Sequence, residues 1–214
     1  GEWLGEVRGQ TDVILSEHRP IPLYQHVLIN SSLIDLFSQP GKINPEILAL
    51  EREAMRKVRI PRNRREQWGA QESRLSRAEI MEKLNRENLL PAITFIFSRM
   101  GCDAAVKQCL TAGLKLTNTE ERAEILATAS RYTANLPEED LEVLGYREWI
   151  TALERGIAAH HAGLLPSFKN AVEDLFQRGL VKAVFATETL ALGINMPART
   201  VVLEKLTKWN GEAH

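Results

Sequence analysis

The chain has 214 residues, of which 44% are hydrophobic and 26% charged, an ordinary soluble balance, enough for one generous domain and short for two. Its formal net charge of −1 excludes a polycation, so any contact with nucleic acid has to be local. The longest apolar run, around LLPAITFIF, is about nine residues, far below the ~18–20 that a membrane span needs.

No secretory leader is visible, and the chain opens Gly1-Glu2-Trp3 rather than with Met. It therefore reads as a piece of a longer protein, soluble and intracellular, with a cytoplasmic location expected and no membrane partner. The two cysteines, Cys102 and Cys109, would lie about 10 Å apart along one helix axis. That exceeds the ~7 Å limit on Cα separation for a disulfide, so reduced core thiols are expected.

In chain order, EWLGEV at 2–7 suggests a short helical start and DVILSE at 12–17 a strand. A proline break follows in RPIPL, and YQHVLIN reads as another extended run. From Ser38 to about Ser76 the composition shifts. The spacing of Ile47, Leu48, Leu50, Ala54 and Met55 predicts a helix that Pro45 can open. RKVRIPRNRREQWGAQESR is strongly basic and poor in apolar residues, which predicts a solvated, partly disordered linker or loop.

Ser76 followed by Glu79 forms a capping box, so a helix is predicted to begin there. Pro91 leads into the buried-type strand AITFIFS. MGCDAAVKQCLTAG is a helix ending near Gly113, and 118–155 is helical in pieces broken at Pro137 and Gly145. The end of the chain is the most regular part. Strand GIAAH is followed by helix PSFKNAVEDLFQRG, with Pro166 in its first turn and Gly179 as its stop. Strand VKAVFA, the short helix TETLAL, the segment GINMPAR and strand TVVLEKL complete the pattern.

Alternating strands and helices specify an α/β fold with a mostly parallel sheet and helices on both faces. Right-handed crossovers then bring every strand's C-terminal end to one edge, where ligands bind. Three junctions land there: Ser98-Arg99, His160-His161-Ala162-Gly163 and Thr187-Glu188-Thr189. Helix N-termini attract phosphates, and three on one edge suit a nucleic-acid backbone. Each Ser or Thr there serves equally well as a plain N-cap.

The adjacent histidines raise the question of a metal. Neighbours on a strand point to opposite faces, so His160 and His161 are poorly placed to chelate one ion. No partner ligand at metal spacing accompanies them, so no metal is expected. A His–Asp acid–base pair has no support in the spacing either. One ring is expected as a hydrogen-bonded core residue. The other is expected to line the edge groove beside Gly163, whose missing side chain permits close backbone approach.

FATETLALGINMPARTVV is the more specific string. Together with HHAGLLP about twenty residues earlier, it resembles motifs V and IVa of superfamily 2 DExH-box helicases, specifically the superkiller (Ski-two-like) RNA helicase family. AITFIFSRMGCDAAV resembles that family's motif IV, RPIPLYQHV its segment between the two motor domains, and GEWLGE the end of the first domain. The match is specific over 91–110 and 157–204 and looser elsewhere.

The resemblance implies an incomplete second RecA-like (P-loop NTPase-type) helicase domain over 77–214. Residues 1–37 would be the end of the first motor domain and the strand leading into the second, and 38–76 a charged, partly disordered linker or insertion. It implies that Thr187 bonds an RNA phosphate and that Gly193 and Asn195 sit at the interdomain ATP face. Ser98, Arg99, His161 and Gly163 would line the RNA groove or support it, with Glu188 and Thr189 beside Thr187. The implied partners are single-stranded RNA (or DNA) and the first RecA-like domain of the same chain. ATP and Mg²⁺ belong to the full-length parent.

The departures matter as much. Gly41-Lys42 is followed by Ile43, so no Walker A loop is present, and neither EED nor VEDLF makes a DExH box. The arginine-finger motif is also missing. Phosphoryl transfer is almost entirely positioning and charge neutralisation, so this chain alone is expected to hold no catalytic residue, bind no cofactor and hydrolyse no ATP. A DNA repair helicase of the same superfamily and a non-catalytic nucleic-acid-binding module are the alternative readings. An unrelated doubly wound enzyme is the weakest, because neither GxGxxG nor a nucleophile elbow occurs.

Overall fold

In this computed structural model, residues 6, 7, 9, 21–29, 31–58, 75–191 and 196–205 are described. The chain divides into two compact units, residues 1–74 and 75–214.

The first unit contains two antiparallel hairpins, β1 (His26–Ile29) with β2 (Ser32–Asp35), and β3 (Phe37–Gln39) with β4 (Lys42–Ile43). His26 and Asp35 are opposite each other in the first ladder, and their side chains pair at 2.8 Å. The sequence pattern anticipates only an extended run here, because strands of two to four residues carry too little alternation to read. Helix α1 (Pro45–Val58) starts at the expected proline, with the Glu46 N–H donating to Asn44 Oδ1 at 3.0 Å. Helix α1 takes in the first residues of the basic segment; the rest of it, 59–74, and the strand expected at 12–17 lie outside the described residues.

The second unit is an α/β layer structure. A four-stranded parallel sheet has the order β6 (Ile157–His160), β7 (Ala183–Ala186), β5 (Ala92–Phe95), β8 (Thr200–Leu203). The helices are α2 (Arg77–Arg86), α3 (Arg99–Thr111), α4 (Thr119–Thr133), α5 (Glu138–Val143), α6 (Tyr146–Glu154) and α7 (Pro166–Gln177). Ser76 and Glu79 form the expected capping box, Pro137 and Gly145 cap the broken pieces α5 and α6, and Pro166 opens α7.

Alternation along the strands sorts the core into two layers. Ala92, Ile157, Ala159, Ala183 and Phe185 pack with α2 and α3. Ile93, Ala158, Val184 and Ala186 pack with α4, α6 and α7. Cys102 and Cys109 are free and buried on the α3 side, and burial pushes both thiols up to about 11. Among the described residues no helix is long and apolar enough to cross a membrane.

Candidate nucleic-acid interface

The parallel registers align the strand ends. Phe95 and His160 are both paired with Ala186, and Phe95 with Leu203. The residues that leave β5, β6 and β7 therefore emerge at one edge. Phe97, Ser98, Arg99, Ala162, Thr187 and Glu188 line a depression of about 180 Å³ there. The structure thus brings together four of the nominated residues, Ser98, Arg99, Thr187 and Glu188. Of Thr189 only the backbone is described, and Gly193 and Asn195 lie outside the described residues.

Ser98 is the N-cap of α3. Its backbone is extended, and its Oγ accepts the Gly101 N–H at 3.0 Å. A Cβ on Gly101 would lie 2.6 Å from that Oγ and 2.7 Å from Ile96 Cγ2, so only glycine fits beneath the cap. A hydroxyl that accepts one bond still has its own proton to donate, and α3 has no acidic residue in its first turn to neutralise its positive end. Helix α7 likewise begins without an acidic residue.

The third junction differs from expectation. Residues Glu188–Ala191 form one turn of 3₁₀ helix with Glu188 inside it, so that end offers little dipole and carries a negative charge. Thr187 is tied in through its backbone: its N–H donates to His160 O at 3.3 Å, and its carbonyl accepts the Leu190 N–H at 3.1 Å.

Both histidines are buried, each 5% exposed, and each is held by a carboxylate on the opposite side of the sheet from the other. His160 Nε2 meets Glu173 Oε1 on α7 at 2.7 Å. His161 Nε2 meets Asp103 Oδ1 on α3 at 2.9 Å. Neither ring is among the residues that line the depression. Gly163 does lie beside His161, since a Cβ there would sit 3.1 Å from Nδ1 and 3.5 Å from Arg99 Cδ.

His161–Asp103 is a His–Asp hydrogen bond for which the spacing gave no support. Asp103 and Glu173 were missed because the pairs span 58 and 13 residues. The only local signal is that Asp103 falls one helical turn after Arg99. Among the described residues, no three His, Cys, Asp or Glu side chains converge as metal ligands.

These residues do not fit a nucleotide triphosphate. The one glycine in the first turn of α3 has its N–H bonded to Ser98 rather than turned to a phosphate, and no junction carries the Gly-Lys-Ser/Thr set that cradles one.

No protein-family model matches the chain. It is 53% identical over 228 residues to the probable helicase HelY of Mycobacterium leprae, covering 100% of this chain and 25% of that protein. It is 36% identical over 242 residues to the chloroplastic DExH-box ATP-dependent RNA helicase DExH15 of Arabidopsis thaliana, covering 98% of this chain and 20% of that one. Superkiller complex protein 2 of Homo sapiens is 34% identical over 225 residues, with 98% of this chain and 18% of that protein covered. Sheet, helices and relatives together define a RecA-like fold in a helicase. The chain belongs to the superkiller (Ski-two-like) DExH-box helicases and spans a quarter or less of the length of these relatives.

Proposed function

We propose that this chain contributes the second RecA-like domain of an ATP-dependent RNA helicase and grips the backbone of single-stranded RNA along its strand-end groove. The observation that supports this best is the convergence of Ser98, Arg99 and Thr187 on one depression beside the unneutralised N-terminus of α3. The Ser98 hydroxyl and the Arg99 fork donate to phosphate oxygens. Glu188 opposes a phosphate next to it, so it accepts from sugar or base donors instead. His161 and Gly163 support the groove from behind.

RNA is favoured over DNA because the TETLALGINMPART wording resembles the RNA-acting branch and two of the three relatives above carry RNA helicase or superkiller names. Gly193 and Asn195 keep the interdomain nucleotide role that the resemblance implies. ATP, Mg²⁺ and the catalytic groups come from outside these 214 residues, so the isolated chain releases no phosphate from ATP above a no-protein control, with or without RNA.

The test is Thr187→Ala in the full-length enzyme, titrated with a single-stranded RNA and the matching DNA. A loss of about 1–3 kcal/mol in RNA affinity is expected, the scale of a hydrogen bond to a charged group. Wild-type RNA binding by this variant, or tighter binding of the DNA, would sink the reading.

A further inference from the structure

Asp103 is not among the residues that line the groove, yet it is hydrogen-bonded to His161, the neighbour of the lining residue Ala162. We propose that Asp103 is a positioning residue. By fixing the proton of His161, it locks the turn at Gly163 against Arg99 and so aims the Arg99 guanidinium into the groove. This rests on the groove reading above.

One proton on the His161 ring carries the effect. The Gly163 N–H donates to His161 Nδ1 at 3.1 Å, so Nδ1 presents a lone pair. A neutral imidazole has a single N–H, which is therefore on Nε2 and donates to Asp103 Oδ1 at 2.9 Å. An ionised carboxylate only accepts, so it selects that tautomer. The other tautomer would set an Nδ1–H against the Gly163 N–H, donor facing donor, in a ring that is 5% exposed. A buried donor left without an acceptor is costly.

The fixed ring then shapes the turn. The Leu164 N–H closes it on His161 O at 3.2 Å, and the side-chain bond to Gly163 adds a second tie across the same residues. A Cβ at Gly163 would meet both the ring, 3.1 Å from Nδ1, and the Arg99 stem, 3.5 Å from Cδ, so the turn, the ring and the stem come together at this glycine. Arg99 and Asp103 are four residues apart on α3, one helical turn. One helix therefore bonds the ring through Asp103 and places the Arg99 stem beside the same turn. Asp103 has a 59% exposed side chain, so its removal leaves no cavity in the core. An apolar packing role does not explain it.

The experiment uses the 214-residue chain with ¹⁵N-labelled histidine, with Asp103→Ala and Asp103→Asn variants, and a twelve-nucleotide oligouridylate as probe. Long-range ¹H–¹⁵N spectra report which ring nitrogen carries the proton. Expected are the Nε2–H form of His161 in the wild type and its loss in Asp103→Ala, with a shifted Gly163 amide. Asp103→Asn keeps the shape and one acceptor, so it is expected to restore that form at least in part.

Oligouridylate affinity is expected to fall about three- to tenfold in Asp103→Ala, the scale of one lost hydrogen bond. It is expected to fall less in Asp103→Asn. Arg99→Ala combined with Asp103→Ala is expected to cost no more than Arg99→Ala alone, because Asp103 acts through Arg99. Additive losses overturn the proposal, as does an unchanged tautomer in Asp103→Ala. If Arg99→Ala and Thr187→Ala weaken binding while Asp103→Ala does not, the proposal falls and the groove reading stands. If Arg99→Ala and Thr187→Ala both bind like wild type, the groove reading falls, and the aiming of Arg99 falls with it.

Discussion

Helices α3 and α7 lie on opposite faces of one sheet and are held there by different means. The buried residues of α3 are Cys102, Ala105 and Cys109. Those of α7 are Phe168, Ala171, Val172, Leu175 and Phe176. Small contact residues let α3 approach the strands closely, and Gly101 continues that economy at its first turn, where no Cβ fits. Helix α7 is anchored by volume. The helix that carries Ser98, Arg99 and Asp103 is thus positioned by the absence of bulk. It is sensitive to added atoms, whereas α7 is sensitive to lost ones.

The largest effect tests the bulky side. Phe176 is 0% exposed, and Phe176→Ala is expected to destabilise the second unit by about 3–5 kcal/mol through lost transfer energy and the cavity left behind. Denaturant titration measures it. A cost below about 1 kcal/mol would mean that the face collapses around the gap, and the contrast with α3 would disappear.

The close-packed side is tested by the reverse change. Ala105 is also 0% exposed, so Ala105→Leu is expected to cost about 1–3 kcal/mol by overpacking. Because the strain is relieved by moving α3, it is also expected to weaken oligouridylate binding at temperatures where the protein stays folded. Phe176→Ala, under the same condition, is expected to leave that binding closer to wild type. Equal binding losses in the two variants would show that the groove does not depend on how α3 is seated.

Three of the four strands were readable because each is a short apolar run with a turn residue shortly before it: Pro91 before β5, Gly156 before β6 and Gly179 before β7. The capping box at Ser76 and the proline at the start of α7 were readable because they depend on residues three apart or fewer. The groove was readable only in outline. Topology placed Ser98 and Thr187 on one edge, but nothing local showed that TETLAL would shrink to a 3₁₀ turn with Glu188 inside it. The carboxylate partners of the histidines depend on how α3 and α7 cross the sheet, and no spacing in the chain encodes that. The hairpins of the first unit escaped for another reason, since their strands of two to four residues are largely exposed and offer neither a buried apolar run nor enough alternation to read.

The smallest effect concerns the edge of the bulky face, where α4 begins. Asn118 Oδ1 accepts the Glu121 N–H at 2.8 Å, and the Asn118 N–H donates to Glu121 Oε2 at 2.9 Å. Lys182 Nζ reaches the same carboxylate at 2.7 and 3.0 Å and Leu116 O at 2.9 Å. This cluster ties the start of α4 to the residue before β7. Burial alone would raise the Glu121 carboxyl, but the Lys182 and Asn118 hydrogen bonds and the Lys182 charge outweigh it and hold the group below its ordinary value. A carboxyl whose folded pKa is depressed adds stability that is present above the unfolded value and is lost as pH falls through the folded one. Glu121→Gln keeps the shape and removes the charge. Its melting temperature is expected to lie below wild type by the equivalent of about 1 kcal/mol or less at neutral pH, the scale of a partly exposed pair. That gap is expected to hold steady at pH values well above the ordinary glutamate range and to close as pH falls through the depressed folded value, where the wild-type carboxyl takes up its proton. A gap that persists unchanged at pH 3 would mean that Glu121 holds α4 by shape and capping geometry, and that its charge pairing with Lys182 contributes nothing to the seating of this layer.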